Sequence, residues 1–346
     1  MTASATTMRK LRILAVMHDE LVPPPNPARH DLAMVDWKME YDVTANLREL
    51  GHDVLDLGVG DDIRIVGKTA EAFRPQIIFN LIEDFHEVGT FDHNVVGYFE
   101  LLRIAYTGCN PRGMMLARDK ALSKSILAAE GIRVPWFTVV HRGRRPRLPK
   151  AAPYPLIVKS RTKDASHGIS QASVVTGPRR LEERVEFIHD AVGTDAIVEQ
   201  FIDGREVYVG VLGNRRPRLL PIWELHLDKM RARWKIATDR VKWNDAYQRR
   251  HRVRTRVARR LGVDLEDRVA SICRRAWMAL DLSGYARLDM RVTADGKVFF
   301  MEANPNPQLA YGEDFAESAE HAGVDYLDLL QRIVELGRRW QPDYLG

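Results

Sequence analysis

Residues 285–307 read YARLDMRVTADGKVFFMEANPNP, and no other segment restricts the fold as tightly. Both halves alternate apolar and polar side chains, the period of a half-buried strand. Asp295-Gly296 between them is a hairpin-turn signal. With these two residues as the loop, Ala294 pairs with Lys297, Asp289 falls opposite Glu302, and Arg287 falls opposite Asn304. Pleating sends all four side chains to one face. Two facing carboxylates, roughly 5 Å apart at Cβ, repel each other. A hard cation between them removes that cost, and Asn304 adds a neutral oxygen ligand. The plain alternative is a pair of solvated acids on an exposed face. Four site-type residues on one face favour a Mg2+ site flanked by an arginine.

The chain around this hairpin has 346 residues, too many for one small core. Its length predicts two or three domains. An apolar content of 45% and a charged content of 29% place it among ordinary globular enzymes. No apolar run approaches the roughly 18 residues of a membrane span. Residues 1–8 lack the apolar core of a secretory signal. A cytoplasmic location and no membrane partner are therefore expected. Cys109 and Cys273 make neither a disulfide framework nor a metal spacing. The net charge of +5 comes from one segment, because RRHRVRTRVARR at 249–260 holds seven arginines and no acid, and the chain without it carries −2. The run has no interleaved aromatics and no nucleic-acid module around it, so no nucleic-acid partner is expected. It reads as solvated surface or as the border of a site for anionic substrates. Nothing in the sequence fixes the oligomeric state; a homodimer is compatible with it.

Hydrophobic patterning orders the rest. LRILAV at 11–16 is a strand, and a proline-rich loop follows it. Residues 36–50 predict a helix with Trp37, Tyr41, Ala45, Leu47 and Leu50 near one face, stopped by Gly51. Strands are expected at 52–59, 75–83 and 104–108, with helices near 67–73 and 93–102. This alternation predicts an open, mostly parallel sheet with helices on both faces. After Arg118 the pattern changes to a helix ending at Gly131, then short strands at 134–140, 155–160, 169–175, 196–201 and 206–212, with a helix at 181–191. A long polar stretch at 226–262, a helix at 265–280, the metal hairpin and a helix at 325–339 complete the chain. The fold class is α/β and α+β. Expected boundaries are 1–117 for an N-terminal α/β domain, 118–206 for a central subdomain and 207–346 for a C-terminal one.

Several constellations suit a nucleotide. Lys159 ends the strand PLIVK, and Gly168 closes the small polar loop RTKDASHG. A β-loop-β of this kind can fold backbone N–H groups over phosphates, and a surface hairpin is the plain alternative. No P-loop or dinucleotide fingerprint occurs. AIVEQFIDGREVYVGVLG at 196–213 reads as a second hairpin turning at Asp203-Gly204. There Glu199 and the backbone through Gln200, Phe201 and Ile202 could read an adenine edge, and Glu206 could hold ribose hydroxyls. Lys120 starts a helix, and Lys242 lies in the polar stretch. Each lysine alone reads as surface, but with Lys159 beside a Mg2+ face the three suit a triphosphate.

Taken together, FNLIEDF, LLRIAYTG, ARDKALSKSIL, PLIVKS with ASHGIS, VEQFIDGRE, KIATDRVKW, and GYARLDMR with FFMEANPNP resemble the ATP-grasp superfamily and, within it, the D-alanine–D-alanine ligase family. The resemblance spans nearly the whole chain. It implies an ATP-grasp fold in which two α+β subdomains clasp ATP. It implies that Lys120 and Lys159 contact phosphates, that a loop of Ser166, His167 and Gly168 covers them, and that Ser166 belongs with the catalytic groups. Glu199 and the Gln200–Ile202 backbone would hold adenine, and Glu206 the ribose. Lys242 would lie near the γ-phosphate on a loop that closes over it. Asp289, Glu302 and Asn304 would bind two Mg2+, with Mn2+ as a substitute, and Arg287 would stabilise the transition state. The implied activity is ATP-driven ligation of a carboxylate to an amine through an acyl phosphate. The substrates would be small: an amino acid, a peptide or an amino-acid conjugate. A true D-alanine–D-alanine ligase is one alternative, and a non-catalytic nucleotide-binding regulatory subunit is another. Two segments depart from the family pattern. MHDELVPPP follows the first strand where a glycine-rich turn and a glutamate are usual, and PNPQLAYGEDF follows Asn304, with Gln308 at a substrate-facing position.

Overall fold

The computed structural model describes residues 10–342 apart from 33, 164–167, 228–231, 239–240, 242–244 and 252. In chain order the first elements are β1 (Arg12–His18), α1 (Lys38–Glu49), β2 (Asp53–Val59), α2 (Arg64–Phe73), β3 (Ile77–Asn80), α3 (Asp92–Leu101), α4 (Pro111–Arg118), α5 (Lys120–Ala129), β4 (Phe137–Val140), β5 (Leu156–Ser160) and β6 (Val174–Val175). Then come α6 (Pro178–Phe187), β7 (Ala196–Gln200), β8 (Arg205–Gly213), β9 (Arg218–His226), α7 (Asp245–His251), β10 (Arg254–Val257), α8 (Val263–Ala279), β11 (Gly284–Val292), β12 (Val298–Pro305), α9 (Asp314–His321) and α10 (Tyr326–Arg339). They form two compact units, residues 1–111 with 306–346 and residues 112–305.

The first unit is built on a parallel sheet of order β2-β1-β3. β1 is apolar almost throughout, as a strand covered on both faces must be. The expected fourth strand is a single bridge, Ile78 to Tyr106. In α1 the buried face is Met39, Glu40, Val43, Thr44 and Leu47, which shares only Leu47 with the predicted face of Trp37, Tyr41, Ala45, Leu47 and Leu50. The aromatic pair Trp37–Tyr41 packs edge to face at 6.0 Å on a half-buried flank. Glu40 is 1% exposed, and neither of its carboxylate oxygens has a partner among the described residues. Burial pushes this carboxyl up to about 7.

The chain's last helix returns to this unit, so residues 306–346 group with residues 1–111. α10 packs on α1 and β3, and Gly337 lets it approach the Tyr106 carbonyl, where a Cβ would lie 2.3 Å away. Ahead of it, Tyr311 donates its N–H to Asp42, and Asn306 accepts from the Cys109 N–H at 2.8 Å.

The second unit holds two antiparallel sheets, of order β4-β7-β5-β6 and β10-β9-β8-β11-β12. The four-stranded sheet packs Leu156, Val158, Ala196 and Val198 against Leu181, Val185 and Ile188. α8 buries Leu265, Val269, Cys273, Ala276 and Trp277, and it packs on β9 and β12. Cys273 is inert structure, its thiol pushed up to about 12 by burial. The sequence reading missed α4, β9, β10, α7 and α9. It also took β7 and β8 for a hairpin, whereas they belong to different sheets. The chain leaves one sheet where Phe201 N–H bonds the Pro155 carbonyl and enters the other at Arg205. Gly204 marks the crossing, since a Cβ there would lie 2.3 Å from the Val292 carbonyl oxygen.

Candidate functional site

The site stands on one face of the five-stranded sheet. In β11 and β12, Asp289 pairs with Glu302 and Arg287 with Asn304, as the sequence predicts. The route differs from the expected one. The turn is a three-residue loop in which Thr293 pairs with Lys297, and Gly296 takes φ +77° and donates to the Thr293 carbonyl. The Thr293 hydroxyl accepts the Lys297 N–H at 3.1 Å, which favours this longer loop over a two-residue turn. Met290 therefore pairs with Phe300, one step out of the predicted register. A bulge at Met301 then restores the Asp289–Glu302 pair.

Asp289 is 5% exposed. Arg287 grips it with two hydrogen bonds of 2.8 and 2.9 Å, and Asn304 donates to it at 3.1 Å. The Lys120 ammonium lies 3.9 Å from Glu302 and donates to the Lys163 carbonyl at 2.9 Å. Asp119, the N-cap of α5, holds Lys120 at the helix start by accepting from the N–H groups of Ala121 and Leu122. Among the described residues, no three His, Cys, Asp or Glu side chains cluster as a metal cage. Two carboxylates and an amide on one sheet face are nonetheless a hard-oxygen donor set that fits Mg2+. Their negative charge is met by Arg287 and Lys120.

Next to Met301 of β12 lies a buried ionic cluster that the sequence reading half missed. Glu199 is fully buried, with Lys159 at 2.9 Å from one oxygen and Lys124 at 2.9 Å from the other. Lys124 also donates to the Met301 carbonyl in the bulge at 2.6 Å. Burial alone would raise the Glu199 carboxyl, but the two ammonium groups together more than offset it and hold it below the usual carboxylate range. Burial lowers Lys124. Lys159 hydrogen-bonds one Glu199 oxygen, while Lys124 faces the other as an ion pair and leaves that oxygen without a hydrogen-bond partner among the described residues. Lys124 was legible as a charge four residues after Lys120, on the same helix face.

A third group lies further along the same face. Glu206 accepts from Arg291 at 2.6 Å and from the Tyr208 hydroxyl at 2.8 Å. Arg291, also missed, donates to the carbonyls of Ile202 at 2.8 Å and Lys235 at 2.9 Å. Burial, then Glu206 and Asp289, hold the Tyr208 phenol well above its ordinary value, so it stays a donor. Arg287 stacks over the Tyr208 ring at 4.8 Å, which links this group to Asp289. Phe201 joins Ile157, Val174, Ile236, Ile169 and Trp234 in an apolar cluster, and its ring meets Trp234 at 5.1 Å. The N–H groups of Gln200 and Phe201 are spent on the Trp136 and Pro155 carbonyls.

Ser166, His167 and Lys242 lie outside the described residues. Gly168 is described: it has φ +72°, and its carbonyl accepts from Arg184. The arginine run contributes the edge strand β10, where Arg254 and Arg256 pair with His226 and Glu224. Glu206 pairs instead with Leu225, which faces Thr255, so these two arginines occupy the opposite face from Glu206 and Asp289.

Residues 126–335 match the family described as "D-ala D-ala ligase C-terminus". The chain is 31% identical over 305 residues to the uncharacterized protein y4sG of Sinorhizobium fredii, covering 86% of each. It is also 31% identical to the D-alanine–D-alanine ligase of Desulforudis audaxviator, over 86% of this chain and 91% of that protein. Among solved structures, the D-alanine–D-alanine ligase of Bacillus anthracis complexed with ATP is similar, with a TM-score of 0.72 at 22% identity over 95% of this chain and 98% of that one. The VanG D-Ala:D-Ser ligase of Enterococcus faecalis is similar with a TM-score of 0.67 at 19% identity, over 95% of this chain and 100% of that one.

Proposed function

The chain belongs to the D-alanine–D-alanine ligase-like family of ATP-grasp proteins, and we propose on that premise that it joins a carboxylate to an amine other than two molecules of D-alanine. It is an ATP-dependent carboxylate–amine ligase. The observation that carries the reading is the shared sheet face of Arg287, Asp289, Glu302 and Asn304 with Lys120 beside it. An intact set of this kind argues against a regulatory subunit that has lost its chemistry.

In this reading a carboxylate oxygen of the first substrate bonds to the γ-phosphorus as the bond to the ADP oxygen breaks. The amine nitrogen then bonds to the acyl carbon, phosphate leaves, and the nitrogen gives up a proton. Charge gathers on the phosphoryl oxygens, so Arg287, Lys120 and Lys159 act electrostatically, with Lys242 and the Ser166–Gly168 loop assigned to the same phosphates. Asp289, Glu302 and Asn304 would hold Mg2+, two ions in the family pattern or Mn2+ in their place, which supplies Lewis-acid charge when bound. The Phe201 and Trp234 cluster suits an aromatic base, and Glu206, already supplied with donors, suits ribose hydroxyls.

Two features favour substrates other than D-alanine. MHDELVPPP replaces the usual glycine-rich turn. The segment after Asn304 is committed within its own unit: Asn306 bonds the Cys109 N–H, and Leu309 and Tyr311 contact α1 through Met39 and Asp42. Gln308 is exposed there and carries a side chain where a glycine leaves room. The names of the relatives favour the alternative, a true D-alanine–D-alanine ligase. The test is phosphate release from ATP and Mg2+ with D-alanine against a panel of amino acids, dipeptides and conjugates, with products identified by mass. We expect another amine or carboxylate to exceed D-alanine. Efficient D-Ala-D-Ala formation, with D-alanine the best of the panel, promotes the alternative.

A further inference from the structure

Three charged side chains meet inside the second unit, and they do not cancel. Glu199 carries one negative charge, and Lys124 and Lys159 each lie 2.9 Å from one of its oxygens. One positive charge is left over. The Glu199 side chain is 0% exposed and that of Lys124 is 1%, whereas Lys159 is 13% exposed. The surplus charge therefore comes to the surface at Lys159. Lys124 is fixed independently by its 2.6 Å bond to the Met301 carbonyl, so it cannot leave Glu199 without also abandoning the bulge beside Glu302.

We infer that Lys124 is a positioning residue which neutralises Glu199 from the buried side and so leaves the charge of Lys159 available to the phosphates of ATP. The inference rests on the nucleotide reading above. Without Lys124, Glu199 pairs with Lys159 alone, the cluster is neutral, and an incoming phosphate meets no net charge there. Removing Glu199's charge as well should then restore the surplus at Lys159.

The experiment measures the affinities of the full chain for ATP with Mg2+ and for adenosine by calorimetry, in the wild type, Lys124→Met, and Lys124→Met/Glu199→Gln. The readout is the ratio of the two affinities, so that a change in adenine contacts common to both ligands drops out. In Lys124→Met the preference for ATP should fall by at least about tenfold, the scale of one lost charge-assisted contact. In the double variant it should return to within about threefold of wild type, because one unpaired lysine again faces the phosphates. If Lys124→Met fails to fold, a folded double variant with the wild-type ratio still supports the charge account. An unchanged ratio in Lys124→Met, a double variant no better than the single one, or failure of both to fold makes Lys124 a scaffold residue and overturns the assignment. Absence of ATP binding by the wild type removes the nucleotide reading itself, an outcome that involves no variant.

Discussion

Replacing Glu40 by Gln should change how the stability of the first unit depends on pH. The buried, unpartnered carboxyl has its folded-state value raised to about 7 from the ordinary 4.5. A raised carboxyl binds its proton more tightly in the folded state than in the unfolded one. The stability it permits is fully present below 4.5 and is lost as pH rises through 7. A gap of this size corresponds to roughly 3 kcal/mol, at about 1.4 kcal/mol for each tenfold change in proton affinity. Glutamine keeps the shape and cannot ionise, so whatever a buried amide costs, it costs equally at every pH. The stability of Glu40→Gln relative to wild type should therefore rise by about 3 kcal/mol between pH 4.5 and 8 and then level off. Urea unfolding read by hydrogen exchange in β1 peptides measures the first unit by itself. A difference that stays flat across that range would refute the burial argument and point to a partner or water that keeps the carboxylate ionised.

Three further outcomes are expected. Asp289→Asn and Glu302→Gln should each lower Mg2+-dependent ADP release by about a hundredfold or more while circular dichroism shows the fold retained; near-wild-type turnover in either would break the metal assignment. Arg291→Met removes the ion pair to Glu206 and two hydrogen bonds to the Ile202 and Lys235 carbonyls, so a loss of about 3 kcal/mol in denaturant stability is expected, together with weaker ATP binding. Gly204→Ala sets a methyl against the Val292 carbonyl and should cost about 3 kcal/mol, visible as a lower melting temperature.

The site was more legible in the sequence than the sheets around it. Asp289, Glu302, Arg287 and Asn304 share a face because strand alternation is a short-range rule, and the net register came out right although the turn and the bulge were both unforeseen. The hairpin expected at Asp203-Gly204 failed because a turn dipeptide shows that the chain bends, not which sheet it bends into; that is decided by partners such as Pro155 and Val292, remote in sequence. The face of α1 was misjudged for a related reason. Trp37 and Tyr41 are apolar enough to suggest a core, yet Met39, Val43 and Leu47 fill it and draw the polar Glu40 and Thr44 in with them. Lys124 and Arg291 were passed over because a charged residue reads as solvated until its counter-charges are known, and those lie on other strands. The return of α10 to the first unit depends on Gly337 meeting Tyr106, a contact that no local pattern announces.

The Met301 bulge has a simple origin in parity. Between Asp289 and Glu302 the chain has twelve residues, and a three-residue turn leaves an odd number to divide between two arms. The arms cannot match, so one must carry a surplus residue if the two acids are to stay opposite. In this chain the surplus falls on β12, and a surplus residue is the one whose carbonyl the ladder leaves over. That carbonyl is the one Lys124 takes. The odd turn, at the solvent end of the hairpin, thus leaves an acceptor in the interior, and helix α5 is fastened to the acid-bearing strand by it.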